Sequence, residues 1–395
     1  MDWERRTPAL VRVFVNGGES MLSDIIKTFE KQYKKYGDNL ITDSYIPADG
    51  EYIIVEPDGE GFKILDKVII KKDKKTGEID RTNQYFDFIR KADYMSMYLE
   101  SDKAISDKNI HSNNYLTFFV KKENIHNGKI NKEVISKYYS ILKNPLIKNK
   151  YQNEKTRVIY EEVENRHGKS DEKRIDRIEN WIKNNIYNLV EKGGKDKSYL
   201  KIYFKYDLEE YRKESEKYIL PNIYNSNDYN ISINRQIYGL PNDNISLNSK
   251  KPYLENKSRK VKVPYLLSKE EVLMQKKFFD YLRNQVSAGK TNIYISEDAI
   301  KSFSNDEMLK ENFRGYYLRI KKGKSEIEIH DFDTIGLYKP KIKTLKLVNA
   351  LKLEKSRIQY NSINSLESLK NIINEVLFSK FLTTNYFTDP QDLNI

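Results

Sequence analysis

The sequence contains no cysteine, which excludes a disulfide, a thiol nucleophile, an iron–sulfur cluster and any Cys-ligated zinc. A cytoplasmic home is the natural reading of that absence. No apolar run reaches the roughly 18 residues that a membrane-spanning helix needs. The chain has 4 histidines. Three of them, His111, His126 and His167, stand in polar surroundings with no partnered catalytic arrangement. A complete phosphate loop is missing as well. Gly193-Gly194-Lys195 matches only a fragment of G-x-x-x-x-G-K-[ST], and a lysine-rich helix exit explains it.

What is present is charge and tyrosine. Lysine and arginine number 70 against 58 acidic residues, a formal net charge of +12, and such an excess points to an acidic partner, most often nucleic acid. The 38% hydrophobic content of 395 residues is enough for folded cores and for two ordinary domains. The 30 tyrosines supply ring area for those cores or, where exposed, faces on which bases stack.

The patterning predicts an α+β protein, with mixed strands and helices in two lobes, mostly antiparallel sheet and a terminal amphipathic helix. Residues 1–20 are arginine-bearing and lysine-free, unlike everything after them, and are read as a non-native leader before a natural start at Met21. Residues 21–147 form an expected N-terminal α/β lobe. It opens with a helix carrying Ile25, Phe29 and Tyr33 that stops at Gly37, followed by strands over Tyr52–Val55 and Phe62–Lys71. A helix ending at Asn144-Pro145 closes it. Residues 148–395 form the second lobe. Lys148–Lys169 reads as a charged connection, and Ser170 or Asp171 caps the helix that follows. Leu200, Ile202 and Phe204 alternate with Lys201, Tyr203 and Lys205 as a half-buried strand with a basic outer face. A capping box at Ser268–Glu271 starts another helix, and a hairpin turns at Lys322-Gly323. The final helix runs from Leu366 and carries Leu369, Ile372, Ile373, Val376, Leu377 and Phe381.

The second lobe contains the least ordinary stretch, the asparagine- and lysine-rich segment 220–265, which does not read as packed core. Asn222, Asn225, Asn227, Asn230 and Asn248 offer amides that can pair with base edges, and that also make ordinary turns. Lys250, Lys251, Lys257, Arg259, Lys260 and Lys262 can contact successive phosphates. Tyr224, Tyr229, Tyr238, Tyr253 and Tyr265 lie among them as stacking faces or, for most, as core anchors. The competing reading is a solvated loop in a chain rich in Asn, Lys, Ile and Tyr throughout. A metal-dependent nuclease or RNA-processing enzyme would need clustered carboxylates, and the best cluster is Glu326, Glu328, His330, Asp331 and Asp333. In a regular strand Glu326, Glu328 and His330 share a face. No second acidic cluster accompanies them, which favours a solvated hairpin face.

The stretches LPNIYNSNDYN (220–230) and GLPNDNISLNSKKPYLENKSRKVKVPYLLS (239–268), the hairpin from Gly315 to Asp333 and the opening MLSDIIKTFEKQYKKYG (21–37) make the chain resemble the large subunit of type I-B CRISPR Cascade surveillance complexes. The resemblance implies a non-catalytic subunit without a cofactor that contacts the 5′ handle of a guide RNA. It further implies recognition of the protospacer-adjacent motif in duplex DNA, contact with the backbone and handle-binding subunits, and transient recruitment of a helicase-nuclease in antiviral defence. In such complexes base pairing to the guide reads sequence, so the protein need read only a short motif. Many relatives carry a Cys-based zinc module, which a cysteine-free chain cannot build. They usually continue into a C-terminal helical bundle, and the bundle's functions are not carried over to a chain that stops at Ile395. A purely structural assembly protein whose basic face meets an acidic protein is the third expectation.

Overall fold

The computed structural model describes residues 18–73, 78–97, 99, 104–190, 197–234, 236–242, 266–305, 307–323, 327–346, 348 and 362–376. Its longer helices are α1 (Gly18–Tyr36), α2 (Phe86–Ser96), α3 (Lys132–Lys143), α4 (Glu154–His167), α5 (Glu172–Asn185), α6 (Leu208–Ile219), α7 (Lys269–Ser287) and α8 (Leu366–Val376). Its strands are β1 (Gly50–Asp58), β2 (Gly61–Ile70), β3 (Thr117–Lys121), β4 (Tyr199–Phe204), β5 (Ile231–Ile233), β6 (Gln236–Gly239), β7 (Leu267–Ser268), β8 (Asn292–Ile295), β9 (Ile300–Phe303), β10 (Phe313–Lys322), β11 (Ile327–Tyr338), β12 (Lys341–Lys346) and β13 (Ser362–Ser365). The fold is α+β, and among the described residues only β1 and β4 pair in parallel.

Contacts divide the chain into two units, one comprising Ile41–Lys277 and the other the described residues of Ser20–Leu40 and Phe278–Ile395. The first is built on a sheet of order β2-β1-β4-β3. The expected lobe boundary at 147/148 cuts through this sheet, because β4 lies between β1 and β3. Backbone pairing of residues so far apart in sequence leaves no local trace, and the charge change at 148 misplaced the boundary.

Both faces of the sheet are covered. On one, Phe118 meets Tyr138 and Tyr139 of α3, with ring centroids 6.0 and 6.3 Å apart, and Phe204 meets Trp181 of α5 at 5.6 Å. On the other, Phe88 of α2 packs edge-on against Tyr203 at 6.5 Å and against Tyr211 of α6 at 5.8 Å. The predicted basic outer face of β4 is therefore corrected, since Lys201 is 4% exposed and Tyr203 is fully buried. Each buried large side chain contributes about 1.5–3 kcal/mol of transfer free energy, so closing a helix over each face outweighs leaving one face wet.

The 148–169 stretch is also more ordered than its composition suggests. Two short 3-10 turns lead into α4, whose N-terminus is capped by the Asn153 side chain accepting from the Lys155 N–H. Thr156, Ile159, Tyr160 and Val163 give that helix a buried stripe.

In the second unit, Phe29 of α1 packs on Phe278 and Tyr281 of α7, at 5.3 and 5.7 Å between ring centroids. A second antiparallel sheet has the order β11-β10-β8-β9, and β12 and β13 form a separate two-stranded ribbon. Helix α8 follows β13 directly and is capped by Ser365, whose Oγ accepts the Ser368 N–H at 3.1 Å. Leu377 and Phe381, placed on that helix by the sequence, lie outside the described residues.

Candidate nucleic-acid interface

Leu220, Ile223 and Tyr224 decide how the asparagine-rich segment sits. All three are buried in a small cluster with Ile159 and Val163 of α4 and Val272 of α7. The segment is thus partly core, contrary to its sequence appearance. Tyr224 hydrogen-bonds the carbonyls of Ile237 and Leu267 at 3.0 and 3.2 Å, and burial pushes its phenol pKa up. Tyr229 and Tyr238 pack against buried Leu240 and Leu266, so these three tyrosines are anchors. Tyr253 and Tyr265 lie outside the described residues.

The asparagines are engaged within the protein. Asn222, 5% exposed, donates from Nδ2 to the Tyr218 carbonyl at 2.6 Å and accepts from Lys150 Nζ at 2.7 Å. Asn230, 3% exposed, donates to Asn227 Oδ1 at 3.0 Å, while its carbonyl accepts from Lys155 Nζ at 2.7 Å. Asn227 donates in turn to Thr156 Oγ1. The Asn225 N–H donates to the Leu240 carbonyl at 2.8 Å. Buried amides must find partners, and here they fasten an irregular segment to α4. Asn222 and Asn230 are therefore corrected from groove readers to builders of the segment. Asn225 and Asn227 are half-buried at its rim. Asn248, Lys250, Lys251, Lys257, Arg259, Lys260 and Lys262 lie outside the described residues.

Close packing at this site also fixes a glycine. A Cβ at Gly239 would stand 2.4 Å from Asn230 Oδ1 and 2.5 Å from the Tyr224 ring. That same Asn230 Oδ1 is buried with no hydrogen-bond partner among the described residues.

What sequence reasoning missed is the lysine pair just before α4. Lys148 and Lys150, with Lys137 of α3, line an open groove of about 460 Å³ together with Ser140, Ile141 and Asn149. Lys137 stands 3.4 Å from Asp107. Lys150 reaches Asn222 and lies 4.7 Å from the Tyr151 ring centroid. Lys148 donates to the Ala104 carbonyl at 2.9 Å, and partial burial lowers its pKa. No described carboxylate lies within ion-pair distance of it. The K-x-K spacing after Pro145 was the available signal, and it was absorbed into the supposed connection.

The described members of the acidic cluster do not gather as the enzyme reading would require. Cross-strand register runs Ile320 to Ile329 and then Arg319 to Asp331, so His330 is bulged out of the ladder and the alternation shifts. Glu328, Asp331 and Asp333 then lie opposite Lys321, Arg319 and Tyr317. His330 Nε2 and Glu328 Oε2 are 3.0 Å apart. Among the described residues no three His, Asp or Glu side chains come together to hold a metal, and Glu326 lies outside those residues. His167 is bonded to Glu216 at 2.7 Å, and burial depresses the His111 pKa to about 4.

A second constellation is closed to solvent. Asp93 of α2, fully buried, accepts from Lys201 Nζ and Tyr203 OH at Oδ1 and from Tyr45 OH at Oδ2, all at 2.6 Å. The Lys201 ammonium also stands 4.8 Å from the Phe119 ring centroid and 5.3 Å from that of Tyr52. Burial, and then the Asp93 charge, raise the Tyr203 pKa well above normal. With no access for a ligand, this network holds α2 on the sheet. Among the described residues no helix is long and apolar enough to cross a membrane. Comparison with protein-family models, with curated proteins and with solved structures finds no match to the chain.

Proposed function

We propose that the chain is a non-catalytic, nucleic-acid-binding subunit of a type I-B CRISPR surveillance complex, acting in the cytoplasm. On this reading it contacts the guide RNA near its 5′ handle and the protospacer-adjacent motif of target DNA. The observation that carries the reading is the groove at Lys137, Lys148 and Lys150 beside the asparagine-rich segment. A cation held half out of water with only a carbonyl for company gains from an arriving phosphate, because the attraction is less screened there than at an open surface. The formal charge of +12 and the resemblance in 220–230 and 239–268 support the same direction.

The division of labour within the segment follows its packing. Asn222 and Asn230 hold its shape, Lys148 and Lys150 meet phosphate, and base-edge contacts fall to the rim at Asn225 and Asn227. The enzyme reading has less support, since the Glu328–His330 pair lacks a third described ligand. Affinity purification from the native host tests the proposal. Recovery of short guide RNAs of uniform length with repeat-derived handles, together with the other complex subunits, is the expected result. Recovery of the chain free of RNA and of partner subunits overturns it.

A further inference from the structure

The ribbon of β12 and β13 carries a concentration of charge that the groove does not account for. Lys341, Lys343 and Lys346 are exposed along β12, with Lys339 just before it. Among the described residues none of the four has a carboxylate within ion-pair distance. Strand β13 contributes no acidic residue, and the charged residues at the start of α8, Glu367 and Lys370, offset each other.

The backbone puts these lysines forward. Lys341 pairs with Ser365 and Leu345 with Ile363, so Ile342, Lys343 and Thr344 together span the single residue Asn364. The extra length makes a bulge in β12 between Lys341 and Leu345, a feature that bends a strand and re-aims its side chains. Ile363, 6% exposed, anchors the ribbon, while Ser362 and Asn364 are open beside the lysines. By that register Lys341 lies on the Ile363 face of the ribbon and Lys346 on the Ser362 face, so the ribbon offers cations on both of its sides.

We infer that the β12–β13 ribbon is a second nucleic-acid contact, in which Lys341, Lys343 and Lys346 meet backbone phosphates. The inference extends the nucleic-acid reading above but places its contact in the other unit, on residues outside the asparagine-rich segment. Charge complementarity commits the surface to a polyanion: four cations with no described counter-charge repel one another until phosphates replace their diffuse counterions. Lysines and bulges also keep a sheet edge from pairing with other chains, and that role makes a different prediction about salt.

The test measures binding of the full chain to labelled single-stranded RNA and to duplex DNA across a range of salt. The parent is compared with a triple variant, Lys341→Ala, Lys343→Ala and Lys346→Ala, and with the same three positions changed to Arg. Removing three phosphate contacts is expected to flatten the plot of log Kobs against log salt by about 2 on a single strand and nearly 3 on a duplex. The arm that flattens identifies the nucleic acid on the ribbon, and the Arg variant keeps the parent slope. An Ala variant with the parent's slope and affinity on both nucleic acids overturns the ribbon while leaving the groove intact. Equal loss in the Ala and Arg variants also overturns it, because that outcome marks a structural role. No binding by the parent overturns the ribbon together with the reading it extends.

Discussion

Strands β4 and β12 both set lysine beside isoleucine, Lys201-Ile202 in one and Lys341-Ile342-Lys343 in the other, yet the two lysine sets end in opposite environments. Strand β4 has neighbours on both edges and helices over both faces, so Lys201 is sealed against Asp93. Among the described residues strand β12 has one neighbour, and its lysines stand in solvent. The difference shows that a lysine on a strand is read by the strand's place in its sheet. A central position obliges the fold to supply a counter-charge, whereas an edge position leaves the charge available to something outside the chain. The first costs desolvation that the ion pair and two phenols offset, and the second costs almost nothing.

The most direct way to break this comparison is to remove the buried counter-charge. Asp93→Ala leaves the Lys201 ammonium buried with no carboxylate and the hydroxyls of Tyr45 and Tyr203 without their acceptor. A loss of about 3–5 kcal/mol is expected, read from urea unfolding. A loss below about 1 kcal/mol, within the range of surface ion pairs, would mean that Lys201 escapes to water and that β4 and β12 do not differ as described.

Gly239→Ala asks which side of the comparison the asparagine-rich segment belongs to. If the segment is packed as β4 is, the added methyl meets Asn230 and Tyr224 and costs about 1–3 kcal/mol. An unchanged midpoint in urea would place the segment with the open ribbon instead.

Local signals made much of the fold legible in advance. Helix α1 stops where Gly37 takes φ +60 and its N–H reaches the Tyr33 carbonyl at 2.7 Å. Helix α3 ends at Lys143, ahead of Asn144-Pro145, and Asp171 caps α5 by accepting the Arg174 N–H at 3.0 Å. Ser268 and Glu271 exchange the two bonds of a capping box, at 3.0 and 3.3 Å. Each depends on residues within a few positions of one another. What could not be read depends on distant pairing. The placement of Tyr52 beside Lys201 by parallel strands is one example, and the descent of Asp93 from α2 onto that pair is another. At the candidate interface the same limit applied, because amides that look free in sequence meet their partners, Lys150, Lys155 and Thr156, only after α4 packs on the segment.

A pH titration sharpens the buried side. Burial, with the Lys121 and Lys201 charges beside it, lowers the His111 pKa from 6.5 to about 4. Below its unfolded value the denatured chain takes up a proton that the native imidazole refuses, so this group lowers stability as pH falls from about 6.5 to about 4, and its effect levels off below that. His111→Gln is expected to flatten the stability profile in that window and leave it unchanged above pH 7. A parallel offset at every pH would show that the ring acts by packing alone, through its edge contact with Tyr199 at 5.4 Å.

The smallest expected effect on stability bears most directly on the open side of the comparison. Lys343 lies exposed in the irregular stretch of β12 with no described ionic partner, so Lys343→Ala should move the unfolding free energy by less than about 0.5 kcal/mol. Any change in the stabilising direction reflects relief of repulsion between like charges on one strand, which salt screens only in part. The same substitution should weaken nucleic-acid binding and reduce its salt slope by close to one phosphate contact. Stability held constant while binding changes is the signature of a charge that the fold does not need. If unfolding moved as far as it does on loss of Asp93, the ribbon lysine would be part of the fold's own electrostatics, and the contrast between a lysine sealed in β4 and one offered by β12 would disappear.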